Sequence, residues 1–92
     1  MMDNEEEYEL LVHNDDINTF QHVVDSLMQI CGHGHFQAEQ CALLIHEKKK
    51  CKVKTGPPAT IELMYELLAE RGLNVEIFDE QSSPSKDDGK ED

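Results

Sequence analysis

Apolar residues recur along this chain with two alternating spacings, and this alternation restricts the fold more than any other feature. Residues 8–13, 51–55 and 75–78 form short apolar or alternating runs that are typical of β-strands. Between them, apolar residues recur every three or four positions, which predicts helices. These helical positions are Phe20, Val23, Val24, Leu27, Ile30 and Cys31; Ala38, Cys41, Ala42 and Ile45; and Ile61, Met64, Tyr65 and Leu68. The order strand, helix, helix, strand, helix, strand predicts an α+β two-layer sandwich, with three helices on one face of a three-stranded sheet.

Turn-forming and capping residues divide the predicted elements. Asn18 and Gln21 have the spacing of a capping box at the start of the first helix. Gly32 suits the chain reversal after that helix. The lysines at residues 48–50 are expected in the last turn of the second helix, where cations complement the helix dipole. Gly72 is expected to end the third helix.

Charge separates one compact domain from two polar ends. A chain of 92 residues suffices for a single small domain, expected over residues 8–80. An acidic flexible segment is expected at residues 1–7, and a disordered polar tail at residues 81–92. The net charge of −12 argues against binding to nucleic acid or to an anionic membrane. Because no apolar run could span a bilayer and no signal peptide is evident, a cytoplasmic location is expected.

A loop rich in cysteine and histidine admits a metal-binding or redox function. Cys31, His33 and His35 alternate with glycine and include residue types that bind zinc. His22, Cys41 and Cys51 could add ligands. However, the loop lacks the paired spacing of dedicated zinc sites, so we interpret it as a connection between helices and expect no metal or cofactor. The metal-binding or redox alternative stays open at this point.

Two polar features could form a binding site, whereas the sequence carries little sign of an enzyme. Asn14, Asp15 and Asp16 follow the first strand directly and can form either a turn or a rigid group of hydrogen-bond acceptors. His46 lies near the end of the second helix and offers one acceptor nitrogen when neutral. The sequence lacks a phosphate-binding glycine loop, a nucleophile elbow and a His-Glu-x-x-His motif. We therefore expect no catalytic residues.

Three segments together resemble the ClpS family, the adaptors that carry N-degron substrates to the AAA+ unfoldase of the Clp protease. They are VHNDD at residues 12–16, VVDSL at 23–27 and AEQCALLIHEK at 38–48. The similarity extends from about Tyr8 to Phe78 in unbroken order. It implies an antiparallel sheet and a β-α-α-β-α-β sandwich, in agreement with the order of elements above. It also implies a non-enzymatic adaptor whose partner is the N-terminal domain of a ClpA- or ClpC-type unfoldase.

The resemblance implies a site for the free α-amino group of a substrate. An α-ammonium group has three donors and no acceptor, so its site must present acceptors. On this resemblance Asn14 accepts through its side-chain oxygen, His46 through a neutral ring nitrogen, and Asp15 adds charge through a bridging water. A remaining alternative is a regulator that docks on the unfoldase without binding substrate.

The resemblance also implies a pocket for a bulky hydrophobic first side chain. Its lining would be Val12, Phe20, Val23, Ala42, Ile45 and Val75, although residues at these spacings can equally be plain core. Asn18 stands where the family commonly has Thr or Ser, and Phe20 where Met is frequent. Ala42 and Val75 are smaller than the residues usual there. These departures leave open the choice among Leu, Phe, Tyr and Trp.

Overall fold

The computed structural model describes residues 6–79 and contains the predicted elements in the predicted order. The strands and helices are β1 (Tyr8–His13), α1 (Phe20–Cys31), α2 (His35–Lys48), β2 (Lys50–Gly56), α3 (Pro58–Glu70) and β3 (Asn74–Asp79). The predicted segments at residues 1–7 and 81–92 lie outside the described residues, apart from Glu6 and Glu7, which are exposed and precede β1. Each helix of the described region falls short of the length and apolar character that a bilayer span requires.

The sheet is antiparallel, with strand order β2-β1-β3. In the central strand β1, Val12 pairs with Cys51 on one side and with Val75 on the other. The register to β2 shifts between Leu10 and Leu11. Because β1 is central, the loop that follows it begins at the middle of the sheet.

Alternate residues of β1 join the helices in one core. Leu10 and Val12 are almost fully buried, as are Leu27 of α1 and Ile61 of α3. Burial of each such side chain stabilises the fold by about 1.5–3 kcal/mol. The core therefore holds the sheet and the helices together as the two-layer sandwich that the sequence predicts.

Two details at helix ends differ from prediction. Thr19, not Asn18, is the N-cap of α1, and its hydroxyl accepts from the backbone N–H of His22 at 3.1 Å. The predicted capping box is therefore wrong, because Asn18 makes other contacts, which are described below.

The predicted placement of the lysines in the last turn of α2 is correct only for Lys48. Lys49 follows the helix with a φ of 80°, and Lys50 already begins β2. The chain thus reverses within one residue between α2 and β2. This tight reversal keeps the C-terminal end of α2 close to the sheet.

Candidate functional site

The β1–α1 loop (residues 14–19) is attached to the end of α2 by one backbone hydrogen bond. The N–H of Asn14 donates to the carbonyl of Lys49 at 2.8 Å. Lys49 immediately follows α2, whose last turn contains His46. Two residues that are 32 positions apart in the sequence are thereby brought to the same region of the surface.

Asp15 holds the same loop in a turn. Its Oδ1 accepts from the backbone N–H of Ile17 at 3.0 Å and from that of Asn18 at 2.9 Å, and its Oδ2 accepts from Asn18 Nδ2 at 2.8 Å. The backbone hydrogen bond from Asn18 is the largest of these effects in lowering the pKa of the Asp15 carboxyl. The bonds from the Ile17 backbone and the Asn18 side chain act in the same direction, and partial burial opposes them. Asp15 is therefore held as a carboxylate.

Two neighbouring hollows open beside this loop. The larger, with a volume of about 60 Å³, is lined by Asn14, Asn18, Phe20, Val23, Ala42, Ile45 and His46. The smaller, of about 20 Å³, is lined by Val12, His13, Asn14, Asp15, Asn18, Val23, Ile45, Leu73 and Asn74. The two hollows share Asn14, Asn18, Val23 and Ile45, so they are adjacent parts of one depression.

The larger hollow collects most of the predicted site. Asn14 and His46 both line it, together with four of the six predicted pocket residues, which are Phe20, Val23, Ala42 and Ile45. Asp15 and Val12 line the smaller hollow instead. Val75 lines neither of them; it is partly buried, packs against the core and pairs with Val12 across the sheet.

Two polar side chains in the larger hollow, those of Asn14 and His46, are available to a ligand. Within residues 6–79, neither the Asn14 side-chain amide nor the His46 ring has a hydrogen-bond partner. His46 is exposed, and Asn14 is half-buried. A side-chain amide oxygen and a neutral imidazole nitrogen can both accept from an ammonium group. The hollow therefore pairs two free acceptors with an apolar wall.

Asn18 lines both hollows, although the sequence patterns did not predict it as a site residue. The spacing of Asn18 and Gln21 suggested a capping role that would have occupied its side chain. Instead, Asn18 Nδ2 donates to Asp15 and, at 2.9 Å, to the carbonyl of Gly72. No local sequence pattern indicates a partner 54 residues away.

The loop with cysteine and histidine lacks the geometry of a metal site. His33 is buried, and its Nε2 donates to the carbonyl of Val53 at 2.8 Å. Burial raises the pKa of the Cys31 thiol to about 11, which disfavours the thiolate that binds metal. Residues 6–79 contain no group of three His, Cys, Asp or Glu side chains that could hold a metal ion. The geometry thus counts against the metal-binding alternative.

Comparison with known proteins gives concordant matches in sequence and in fold. The family model for "ATP-dependent Clp protease adaptor protein ClpS" matches residues 3–76. The ATP-dependent Clp protease adapter protein ClpS of Thermosynechococcus vestitus is 36% identical over 69 residues, which cover 74% of this chain and 73% of that protein.

A solved structure is similar in fold. Agrobacterium tumefaciens ClpS2 bound to L-phenylalaninamide superposes with a TM-score of 0.73 at 15% sequence identity, over 80% of this chain and 96% of that one. At this identity the likeness bears on the fold alone. It confirms the predicted arrangement of three helices and a three-stranded antiparallel sheet.

Proposed function

The chain belongs to the ClpS family of Clp protease adaptor proteins, and from this membership we propose that it binds substrate proteins by a free N-terminal bulky hydrophobic residue and presents them to the AAA+ unfoldase. A ClpS protein is an adaptor of the protease rather than the protease itself.

One observation carries the proposal: acceptors from two separate elements line the same apolar hollow. Asn14 comes from the β1–α1 loop and His46 from the last turn of α2. An ammonium group at the mouth could donate to both, and its uncharged, acetylated counterpart would lose these charge-assisted bonds. A site built of acceptors can thus select a free chain start over an internal residue.

The apolar wall would receive the first side chain. Val23, Ala42 and Ile45 are buried, whereas Phe20 is 44% exposed at the hollow. Covering Phe20 and filling the hollow with a Leu or Phe side chain would contribute about 1.5–3 kcal/mol. The related ClpS2 is bound to L-phenylalaninamide, a ligand with a free α-amino group and an aromatic side chain. A ligand of this kind matches the combination of acceptors and apolar wall found here.

Asp15, Val12 and Val75 are the remaining residues of the proposed site. Asp15 would add negative charge from the smaller hollow through a bridging water, and it also orders the loop. Val12 would line the smaller hollow. Val75 lines neither hollow, so its place in the pocket remains a prediction.

Peptide binding tests the proposal directly. Fluorescence polarisation should give a micromolar dissociation constant for peptides that begin with Leu or Phe, which corresponds to a binding free energy of about −8 kcal/mol. Acetyl-Leu peptides should bind at least tenfold more weakly. Asn14→Ala and His46→Ala should each weaken binding of the free peptide about tenfold or more. His35→Ala is a matched control, since His35 lies at the other end of α2 and pairs with Glu39.

The possible results separate the candidate functions. Equal affinity for free and acetylated peptides would reject N-terminal recognition. If the Asn14→Ala variant still supported degradation of such substrates by the protease, a docking regulator without substrate binding would be favoured.

The partner we propose is the N-terminal domain of a ClpA- or ClpC-type unfoldase. Co-purification with each isolated domain distinguishes these two types. A cytoplasmic location remains a prediction.

A further inference from the structure

Asn18 connects the β1–α1 loop to a distant turn. Its side-chain Nδ2 donates to Asp15 Oδ2 at 2.8 Å and to the carbonyl of Gly72 at 2.9 Å. Both partners are pure acceptors, so the NH₂ group must face them and the orientation of the amide is fixed. Gly72 belongs to the turn between α3 and β3, where its φ is 90°. One side chain therefore joins the β1–α1 loop to the turn between α3 and β3.

The turn that receives Asn18 is itself fixed on α1. Arg71 Nε donates to Ser26 Oγ at 2.7 Å, and the His22 ring donates through Nε2 to the carbonyl of Arg71 at 2.8 Å. The Ser26 hydroxyl in turn donates to the carbonyl of His22 at 2.8 Å. Ser26 is fully buried. Because these bonds hold the turn against the helix, Gly72 offers Asn18 a rigid anchor.

Besides the bonds by which Thr19 caps α1, the loop is hydrogen-bonded to two other parts of the described residues, one near each end. Asn14 is attached by its backbone to Lys49, and Asn18 by its side chain to Gly72. Between them, Asp15 is oriented by bonds from Ile17 and Asn18. If the Asn18 side chain were removed, Asp15 would lose one donor and the loop would lose its attachment to the α3–β3 turn.

We infer that Asn18 is a positioning residue of the amine site, which fixes the loop so that Asn14 faces the hollow beside His46 and the Asp15 carboxylate stays oriented. This inference rests on the proposed function. It differs from the capping role that the sequence suggested, because the cap is supplied by Thr19. Because Asn18 would act through Asn14 and Asp15, the effect of substituting Asn18 must appear in the behaviour of these two residues.

Two variants of Asn18 and one control test the inference. Asn18→Ala removes both side-chain bonds, and Asn18→Ser, a smaller change, retains a single hydroxyl donor. Gln21→Ala is the matched control, since Gln21 is exposed on α1, bonds to Asp25 and lines neither hollow. Circular dichroism and thermal unfolding verify that each variant is folded. The measurements are the affinity ratio of free to acetylated Leu peptide and the pKa of Asp15 from carboxyl NMR.

Asn18→Ala is expected to lower the affinity for the free Leu peptide about tenfold and to change that for the acetylated peptide much less. The pKa of Asp15 should rise in the same variant, and Asn18→Ser should lie between it and the unchanged chain. Gln21→Ala should leave both measurements unchanged.

The outcomes keep this inference distinct from the proposed function. If the unchanged protein does not distinguish free from acetylated peptide, the proposed function fails, and the positioning role fails with it. If the unchanged protein does distinguish them but folded Asn18 variants retain the full ratio, only the positioning role is overturned. A uniform loss of affinity for both peptides, with the Asp15 pKa unchanged, would likewise reduce Asn18 to a structural residue.

Discussion

Lys49 occupies a backbone conformation that suits glycine. Among residues 6–79, Lys49 is the only non-glycine residue with a positive φ, which is 80°. The left-handed region costs an L-residue about 1–2 kcal/mol. That strain is retained at the position whose carbonyl receives the Asn14 N–H, where the chain turns from α2 into β2.

Replacing Lys49 with glycine should therefore stabilise the fold. We expect Lys49→Gly to raise the free energy of unfolding by about 1 kcal/mol in urea titrations, since relief of strain exceeds the added chain entropy. Lys48→Gly, one residue earlier and inside α2, should instead lower it by about 0.5–1 kcal/mol. Equal effects of the two substitutions would show that Lys49 is not strained.

Asp15 predicts a dependence of stability on pH. Hydrogen bonds, chiefly from the Asn18 backbone, lower its pKa in the folded state. The ionised carboxylate therefore contributes stability above the ordinary Asp pKa of about 3.9, and this contribution is lost as the pH falls through the lowered folded value. Asp15→Ala should be less stable than the unchanged chain at pH 7, and the difference should shrink below about pH 4. A difference that stays constant down to pH 2 would contradict this assignment.

Helix α1 begins with a cap that sequence spacing alone did not identify. The Thr19 hydroxyl accepts from His22, whereas Asn18, one residue earlier, bonds to Asp15 and Gly72. We expect Thr19→Ala to cost about 1 kcal/mol of stability in thermal or urea unfolding. Gln21→Ala should be nearly neutral, because the capping box that would have needed it does not form. A comparable loss of stability in both variants would indicate that the capping box does form.

The elements themselves were predictable, and the contacts at their ends were less so. Periodicity places β1 and α1 at the bounds that the structure shows, because burial of alternate or every third and fourth residue is written directly in the sequence. Asn18 and Thr19 are both good caps, so local preference could not choose between them. The choice depends on Gly72, which reaches Asn18 only after the chain has folded.

The candidate site could not be predicted from sequence periodicity alone. In the sequence, Asn14 could be interpreted as a turn residue and His46 as a helix-end histidine. They line the same hollow only because of the way α2 lies against β1. The resemblance to a family supplied that pairing in advance. It also named Val75, which the structure leaves outside both hollows, since its place on β3 directs it toward the core.

Because the site joins the β1–α1 loop to α2, a ligand there should stabilise the entire fold. At one hundred times its dissociation constant, a free Leu or Phe peptide should contribute about 2.7 kcal/mol and raise the Tm by about 10–20 °C. The acetylated peptide at the same concentration should raise it far less. Differential scanning fluorimetry measures both. Identical shifts would mean that the amino group makes no contribution.

The central position of β1 restricts motion near the hollow. Its amides are hydrogen-bonded to β2 on one side and to β3 on the other, and the next amide, that of Asn14, bonds to Lys49. Amides of this kind exchange with deuterium only when large parts of a fold open together. The surface around the hollow would thus be ordered before a substrate binds, and little conformational entropy would be lost on binding.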